Sequence, residues 1–404
     1  MRVFLQIRPV LAALRSHKTA VLLLVLEIAL TMAVLGNLVF IVYGTMQRSH
    51  VPTGADESRI GLIQSIGVIG DNSNEMLATD LAALKGTPGV QDAAYGGPPL
   101  WYASTSPLFL DPERSHRATL AYEFLGSQGL SETLGVRVLE GRNLRLEELP
   151  DASQWGQIKE IPVLITRALG QQLFPNGNAL GQLFYDGNTA MRVVGVIAHL
   201  RGEITGRTTD DYSVVIQYRV GMQDMGGGFM IRVRDAAQLP QVLHLAAAAL
   251  QKVNPGHVQS MLSTMPELRQ QYFQSDLAAG RMLVAIMLIL LVVTALGVSG
   301  LASFWVQQRR RQIGMHRALG AMRGDILHYF QAENFLIVSA GVLLGALSAY
   351  ALNLFLMRRF EIAHLPASYL AVSAVVLWLL GQLAVLGPAL RAASVPPVVA
   401  TRAV

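Results

Sequence analysis

The 404-residue sequence contains no cysteine. Disulfides, thiolate nucleophiles, cysteine-ligated zinc and iron–sulfur clusters are therefore excluded. Charge is also scarce. Asp, Glu, Lys and Arg make up 15% of the chain and hydrophobic residues 52%, whereas a soluble globular protein carries about 25% charged residues. With a mean hydropathy of +0.39, this deficit predicts a membrane protein. Several chemical signatures are missing too. No G-x-x-x-x-G-K-[ST] loop is there to cradle nucleotide phosphates, and no H-E-x-x-H pair occurs. The 9 histidines show no metal-ligand spacing. No G-x-S-x-G nucleophile turn is found. The chain is accordingly expected to have no catalytic residue, no metal and no cofactor of its own. A membrane-anchored enzyme has only the size of the outer segment in its favour.

What the chain does have is long apolar runs. Four stretches reach the ~20 residues that a bilayer-crossing helix needs: Ala20–Tyr43, Met282–Val306, about Phe335–Met357 and about Tyr369–Leu390. The first is too long for a signal-peptide core and has no A-x-A-like site after it, so an uncleaved anchor is expected. Residues 45–280 hold 18 Lys/Arg against 23 Asp/Glu, a net of −5, and the remainder holds 14 against 4, a net of +10. Positive charge thus flanks the apolar runs, as membrane topology requires, and nucleic acid is not an expected partner. Arg2, Arg8, Arg15 and Lys18 precede the first run. Arg309, Arg310, Arg311, Arg317 and Arg323 lie between the second and third, and Arg391 and Arg402 follow the fourth. The loop between the third and fourth has Arg358 and Arg359, offset by Glu361. The predicted topology places 1–19, 307–332 and 391–404 in the cytoplasm, with spans at 20–43, 281–306, 333–357 and 369–390. Residues 44–280 and the loop 358–368 fall outside.

The fold class expected is an α+β membrane protein, with four transmembrane helices and a large mixed α/β extracytoplasmic domain inserted between helices 1 and 2. Within that domain Met76–Lys85 has helical spacing and stops at Gly86-Thr87-Pro88-Gly89. Ile161–Thr166, Met191–Ile197, Val214–Tyr218 and Phe229–Val233 read as strands, and Leu239–Val253 as a helix ended by Asn254-Pro255-Gly256. There is room for two subdomains plus a stalk. From Met265 to Val306 one continuous helix is predicted, with Pro266 in its first turn. Asp210-Asp211 and Glu147-Glu148 adjoin turn residues and are assigned to solvated loops. Gly226-Gly227-Gly228 is assigned to a flexible connection, and the histidines, His199, His244 and His257 among them, to solvated or structural places.

Residues 309–326, RRRQIGMHRALGAMRGDI, are the most distinctive stretch. Ile313, Met315, Ala318, Leu319, Met322, Ile326 and Leu327 recur at steps of three and four, with the arginines elsewhere, which predicts an amphipathic helix. Gly320 and Gly324 weaken it by about 1 kcal/mol each relative to alanine, so it should bend or pause there. The arginines alone would suit a topological anchor on anionic headgroups. The apolar stripe beside them suits a docking helix.

Gln307–Asp325, QQRRRQIGMHRALGAMRGD, resembles the coupling helix of ABC-transporter permeases of the MacB/FtsX type, whose pattern is R-x-R-E-I-G-x-x-R-A-L-G-A. Asp80–Val90, Leu134–Arg142, Ile161–Leu173, Gly181–Ile197 and Gly387–Pro397 are similar to further segments of that family. One departure is Gln312, where the family has glutamate. The resemblance implies a four-span inner-membrane permease with a periplasmic core domain and a separate ATPase. ATP-driven motion of that ATPase would be carried outward, which is called mechanotransmission. The residues implied in ATPase coupling are Arg310, Arg311, Gln312, Ile313, Met315, Arg317, Ala318, Leu319, Gly320 and Met322. The implied partners are a cytoplasmic ABC ATPase dimer holding ATP and Mg, a second permease copy or a related chain, and membrane lipids. A periplasmic adaptor and an outer-membrane channel complete the set. Export of a peptide, lipid or toxic amphiphile is the leading implication. FtsX-like activation of a cell-wall hydrolase and LolC/LolE-like lipoprotein extraction are the alternatives. Glu27 and Asn37 in the first span, and the G-x-x-x-G of Gly341 and Gly345 in the third, are candidates for packing inside the membrane.

Overall fold

The computed structural model describes residues 18–66, 73–101, 104–115, 117–151, 158–219, 227–256, 258–319, 321–360 and 366–394. Arg2, Arg8, Arg15, Gly226, His257, Gly320, Glu361 and Arg402 lie outside the described residues, as do the side chains of Arg317, Arg358 and Arg359. In chain order the described helices are α1 (Lys18–His50), α2 (Ser73–Lys85), α3 (Leu130–Leu134), α4 (Arg167–Leu173), α5 (Leu239–Val253), α6 (Met265–Tyr272), α7 (Gln274–Gln308), α8 (Arg310–Ala318), α9 (Arg323–Phe360) and α10 (Ala367–Ala393). The strands are β1 (Ile60–Ile66), β2 (Val90–Gly96), β3 (Ser104–Phe109), β4 (Arg117–Ser127), β5 (Val138–Gly141), β6 (Glu160–Thr166), β7 (Leu183–Asp186), β8 (Thr189–Ile197), β9 (Ser213–Tyr218), β10 (Gly228–Val233) and β11 (Val258–Thr264). The chain divides into two compact units, Met1–Met46 with Asp276–Val404, and Gln47–Ser275.

The first unit is helical. Four helices, α1, α7, α9 and α10, are long and apolar enough to cross a membrane. On α1 the buried residues Leu24, Ile28, Met32 and Leu35 recur at helical steps. They meet Val298 and Trp305 of α7, Ile337, Val338 and Val342 of α9, and Ala374 and Leu377 of α10. The G-x-x-x-G of α9 is the seat of α1. A Cβ on Gly341 would lie 2.7 Å from Ile28 Cβ, and one on Gly345 would lie 2.5 Å from the Ala29 carbonyl oxygen. Only glycine permits that backbone approach. Pro388 lies inside α10, which continues past it to Ala393.

The Gln47–Ser275 unit is built on two pieces of sheet. The first runs β11-β1-β10-β2, all antiparallel. One face carries Ile63, Val90, Ala93, Tyr95, Phe229 and Ile231, covered by α2 and α5. Burial of Leu239, Val242, Leu243, Ala246, Ala247 and Leu250 at steps of three and four is what seats α5. The other face, with Ile60, Leu62, Ala94 and Met230, meets Leu130 and Leu134 of α3 and Met265 and Leu268 of α6. The second piece closes on itself. Strands β4-β3-β7-β8-β6-β9 follow one another, and β9 pairs back to β4 in parallel, giving a six-stranded ring. Its strands β6 and β9 are apolar without alternation because both faces are covered. Val214 and Ile216 enter one core cluster and Val215 the other. The two pieces meet where Gly96 of β2 pairs Gly126 of β4. A Cβ on Gly96 would lie 2.7 Å from the Leu125 carbonyl oxygen, and one on Gly126 2.8 Å from that of Tyr95.

Three expectations are corrected. The single helix over Met265–Val306 is two, divided at Phe273. Thr264 and Glu267 form a reciprocal capping box that fixes where α6 starts. The helix over 307–332 is a nine-residue α8, and the next helix already begins at Arg323. Asp325 Oδ2 accepts from the Met322 backbone N–H at 2.9 Å, so a side chain sets that new start. Asp210 and Asp211 are not solvated; they are 4% and 8% exposed. Asp210 accepts from the backbone N–H groups of Thr205, Gly206 and Arg207. Asp211 meets His199 Nδ1 at 2.5 Å and the Leu200 N–H at 3.1 Å. Buried carboxylates are kept where backbone donors satisfy them.

Candidate functional site

The segment joining α7 to α9 is where the sequence-derived candidates gather. Backbone bonding continues from α7 into α8 without a gap: Arg309 N–H donates to the Trp305 carbonyl and Ile313 N–H to that of Arg309, both at 3.0 Å. The predicted apolar stripe divides in two. Ile313 is 8% exposed and joins Val306, Ile326, Phe330, Ala389, Ala392 and Ala393 in a cluster between α7, α8, α9 and α10. Met315, Leu319 and Met322 point outward at 52%, 87% and 76% exposure. Arg310, Arg311, Gln312, Ala318 and Arg323 are exposed beside them. Ile313 and Met315 are two positions apart on α8 and so face opposite ways, and the chain leaves α8 after Ala318 and re-enters helix at Arg323, where Ile326 turns back to the cluster. Arg317 belongs to α8, and Gly320 lies outside the described residues.

Reading the sequence missed the carboxylate that serves this segment. Arg309 Nη1 donates to both oxygens of Glu333 on α9, at 3.1 and 2.9 Å. The two side chains are 13% and 2% exposed, and the Arg309 guanidinium carbon is 5.8 Å from the Trp305 ring centre. Glu333 lies 24 residues along the chain from Arg309 and inside an apolar helix, so the available signal was a lone carboxylate among apolar residues.

The intramembrane candidates are also placed. Glu27 lies against α7, where a Cβ on Gly297 would come 2.6 Å from its Oε2. Its Oε1 has no hydrogen-bond partner among the described residues. One turn on, Thr31 and Thr294 hydroxyls bond to each other at 2.9 Å. The Asn37 amide donates to the Ala33 carbonyl of its own helix at 2.9 Å.

In the other unit the strongest electrostatic feature is a carboxyl pair in the ring. Glu123 of β4 and Asp186 of β7 reach each other across β3, and Glu123 is 8% exposed. Burial, and then the neighbouring Asp186 charge, push the Glu123 carboxyl up to about 7. Burial raises Asp186 as well. A second charged contact is well matched. Arg269 of α6 forks onto Glu57 at 2.7 and 2.5 Å and reaches the Ser49 carbonyl at 3.0 Å. Burial alone would raise the Glu57 carboxyl, but the Arg269 and Thr53 bonds hold it below its usual range.

Comparison with known proteins bears on the helical unit first. Residues 284–397 match the FtsX-like permease C-terminal family, and that match contains α8, its turn and the whole of the exposed row. Residues 284–397 thus resemble an FtsX-like permease domain, and most of the chain is similar to MacB-type export proteins. The chain is 27% identical over 382 residues to the macrolide export ATP-binding/permease protein MacB 1/2 of Paracoccus denitrificans, covering 91% of this chain and 54% of that protein. An ABC transporter permease of Bacillus subtilis, YvrN, is 26% identical over 278 residues, 66% of each chain. The pyoverdine export ATP-binding/permease protein PvdT of Pseudomonas putida is 27% identical over 190 residues, 46% of this chain and 29% of that one. The chain spans about half the length of the MacB relative that it matches along most of its own length.

Proposed function

We propose that this permease converts the motion of a cytoplasmic ABC ATPase into a conformational change of its Gln47–Ser275 unit, and that the work done is export of a peptide, lipid or toxic amphiphile. The observation that carries the reading is the outward row of Met315, Leu319 and Met322, edged by exposed Arg310, Arg311 and Arg323. A partner groove covering such side chains gains about 1.5–3 kcal/mol for each one fully buried. The arginines add steering and register toward acidic groups on its rim. In this reading the ATPase is a separate chain, present as a dimer, and holds the ATP and Mg; this chain contributes no catalytic residue. A second permease copy or a related chain completes the assembly in the inner membrane. The termini and α8 face the cytoplasm and the Gln47–Ser275 unit the periplasm, where an adaptor and an outer-membrane channel take over the cargo. That relatives include a macrolide and a pyoverdine export protein supports export as the work done.

The test is purification of the tagged chain from gently solubilised membranes, with identification of every stoichiometric subunit. A Walker-motif ATPase is expected. A homo-oligomer free of any ATPase, under conditions that preserve other membrane complexes, overturns the reading.

A further inference from the structure

We infer that Arg309 and Glu333 form a latch that holds the inner face of α8 on α9, making both of them positioning residues for the coupling segment. The coupling part of this inference rests on the function proposed above; the latch itself does not. Arg309 occupies the one-residue joint between α7 and α8. Its guanidinium is closed in by the Trp305 ring on one side and the Glu333 carboxylate on the other. Four residues later, on the same face, Ile313 is buried in the cluster with Phe330 and Ala389. The inner side of α8 is therefore pinned at two points, one ionic and one apolar. Met315 on the outer side, and Leu319 just past the end of α8, are exposed and have no such restraint among the described residues.

This arrangement separates Arg309 from its neighbours in sequence. Arg310 and Arg311 are exposed, as residues meeting headgroups or a partner would be. Arg309 is spent on an internal contact whose loss leaves a buried charge without its partner, which is strongly destabilising for that contact. A push on the exposed row cannot tilt α8 while the latch holds. It must move α9 with it, and α9 runs unbroken from Arg323 to Phe360. A charge that served only to fix topology would need no particular partner.

The absence of cysteine makes a clean test available on the full chain in detergent or nanodiscs. With Ile313→Cys as the sole thiol, a water-soluble maleimide should react slowly. Adding Glu333→Gln or Arg309→Gln is expected to raise the rate about tenfold, because local opening exposes the thiol. The exchange Arg309→Glu with Glu333→Arg should bring it back to within about twofold of the starting rate, by restoring the pair. Arg310→Gln, which removes the same charge one residue away, should leave it unchanged. The latch is overturned if Glu333→Gln, still eluting as a single species, reacts no faster, or if Arg310→Gln has the same effect. For the coupling role, Glu333→Gln should keep the ATPase bound yet lower its permease-dependent turnover about tenfold, with recovery in the charge exchange. Full stimulation in Glu333→Gln overturns the positioning role. An ATPase that does not bind the unmodified chain overturns the proposed function and leaves the labelling result standing.

Discussion

At the scale of single residues, the carboxyl pair of the ring makes a prediction about pH. A group whose folded value lies above its ordinary 4.5, as Glu123 does at about 7, costs nothing below the ordinary value. It destabilises the fold progressively as pH rises toward the folded value, and by a constant amount above it. Glu57, Glu148 and Glu160, which arginine bonds hold below their usual range, act with the opposite sign and only below about 4.5. Among these shifted carboxyls, only the pair acts between 4.5 and 7. Apparent Tm in detergent is expected to be several degrees higher at pH 5 than at pH 8, and Glu123→Gln should remove most of that difference. A second prediction at this scale concerns the exposed row. Leu319→Asp places a charge where a groove would bury an apolar side chain, and Arg311→Glu reverses a rim charge. Each should weaken ATPase association about tenfold or more, measured by co-purification, without changing membrane insertion.

At the scale of elements, the packing of α1 on α9 depends on two glycines. Gly345→Leu would drive a side chain into the Ala29 carbonyl, already 2.5 Å from the position of a Cβ. Overpacking of this kind costs about 1–3 kcal/mol, and more against backbone. Lower yield of folded protein and a reduced apparent Tm are expected, whereas Gly387→Ala, with open space around it, should behave as the unmodified chain. In the other unit, Thr264→Ala removes the cap of α6 and is expected to cost about 1 kcal/mol, read as a lowered midpoint in denaturant. The start of α6 was read in the sequence from Pro266 in a first helical turn, and the Thr264–Glu267 capping pair came from the structure. The break at Phe273 was not legible in the sequence, because it needs no proline or glycine: the Phe273 N–H still donates to the Arg269 carbonyl, and only the local turn changes.

At the scale of the whole molecule, the orientation of the chain is open to direct measurement. Met315→Cys in the cysteine-free background should be labelled by impermeant maleimide only when the inner face of the membrane is accessible, and Leu146→Cys only from the outer face. Both positions are exposed, at 52% and 49%, so the readout depends on side and not on burial. Labelling of Met315→Cys from outside would invert the topology and with it the proposed function.

Local composition was enough to determine the four apolar helices, the large mixed domain between the first and second of them, four of its eleven described strands, and the basic amphipathic segment near residue 315. Those features are written in runs of neighbouring residues, where hydrophobic length and periodicity act directly. The closed ring was not legible, because β4 pairs with β9 across about ninety residues, and no local pattern reports a pairing partner. The same holds for the candidate site. The sequence showed which residues of the segment were apolar and which were basic. Only the tertiary structure decided that Ile313 turns inward while Met315 and Leu319 turn outward, and that the partner of Arg309 is Glu333. An ion pair between two helices is set by where the helices cross, and that crossing is fixed by small residues and packing throughout the bundle.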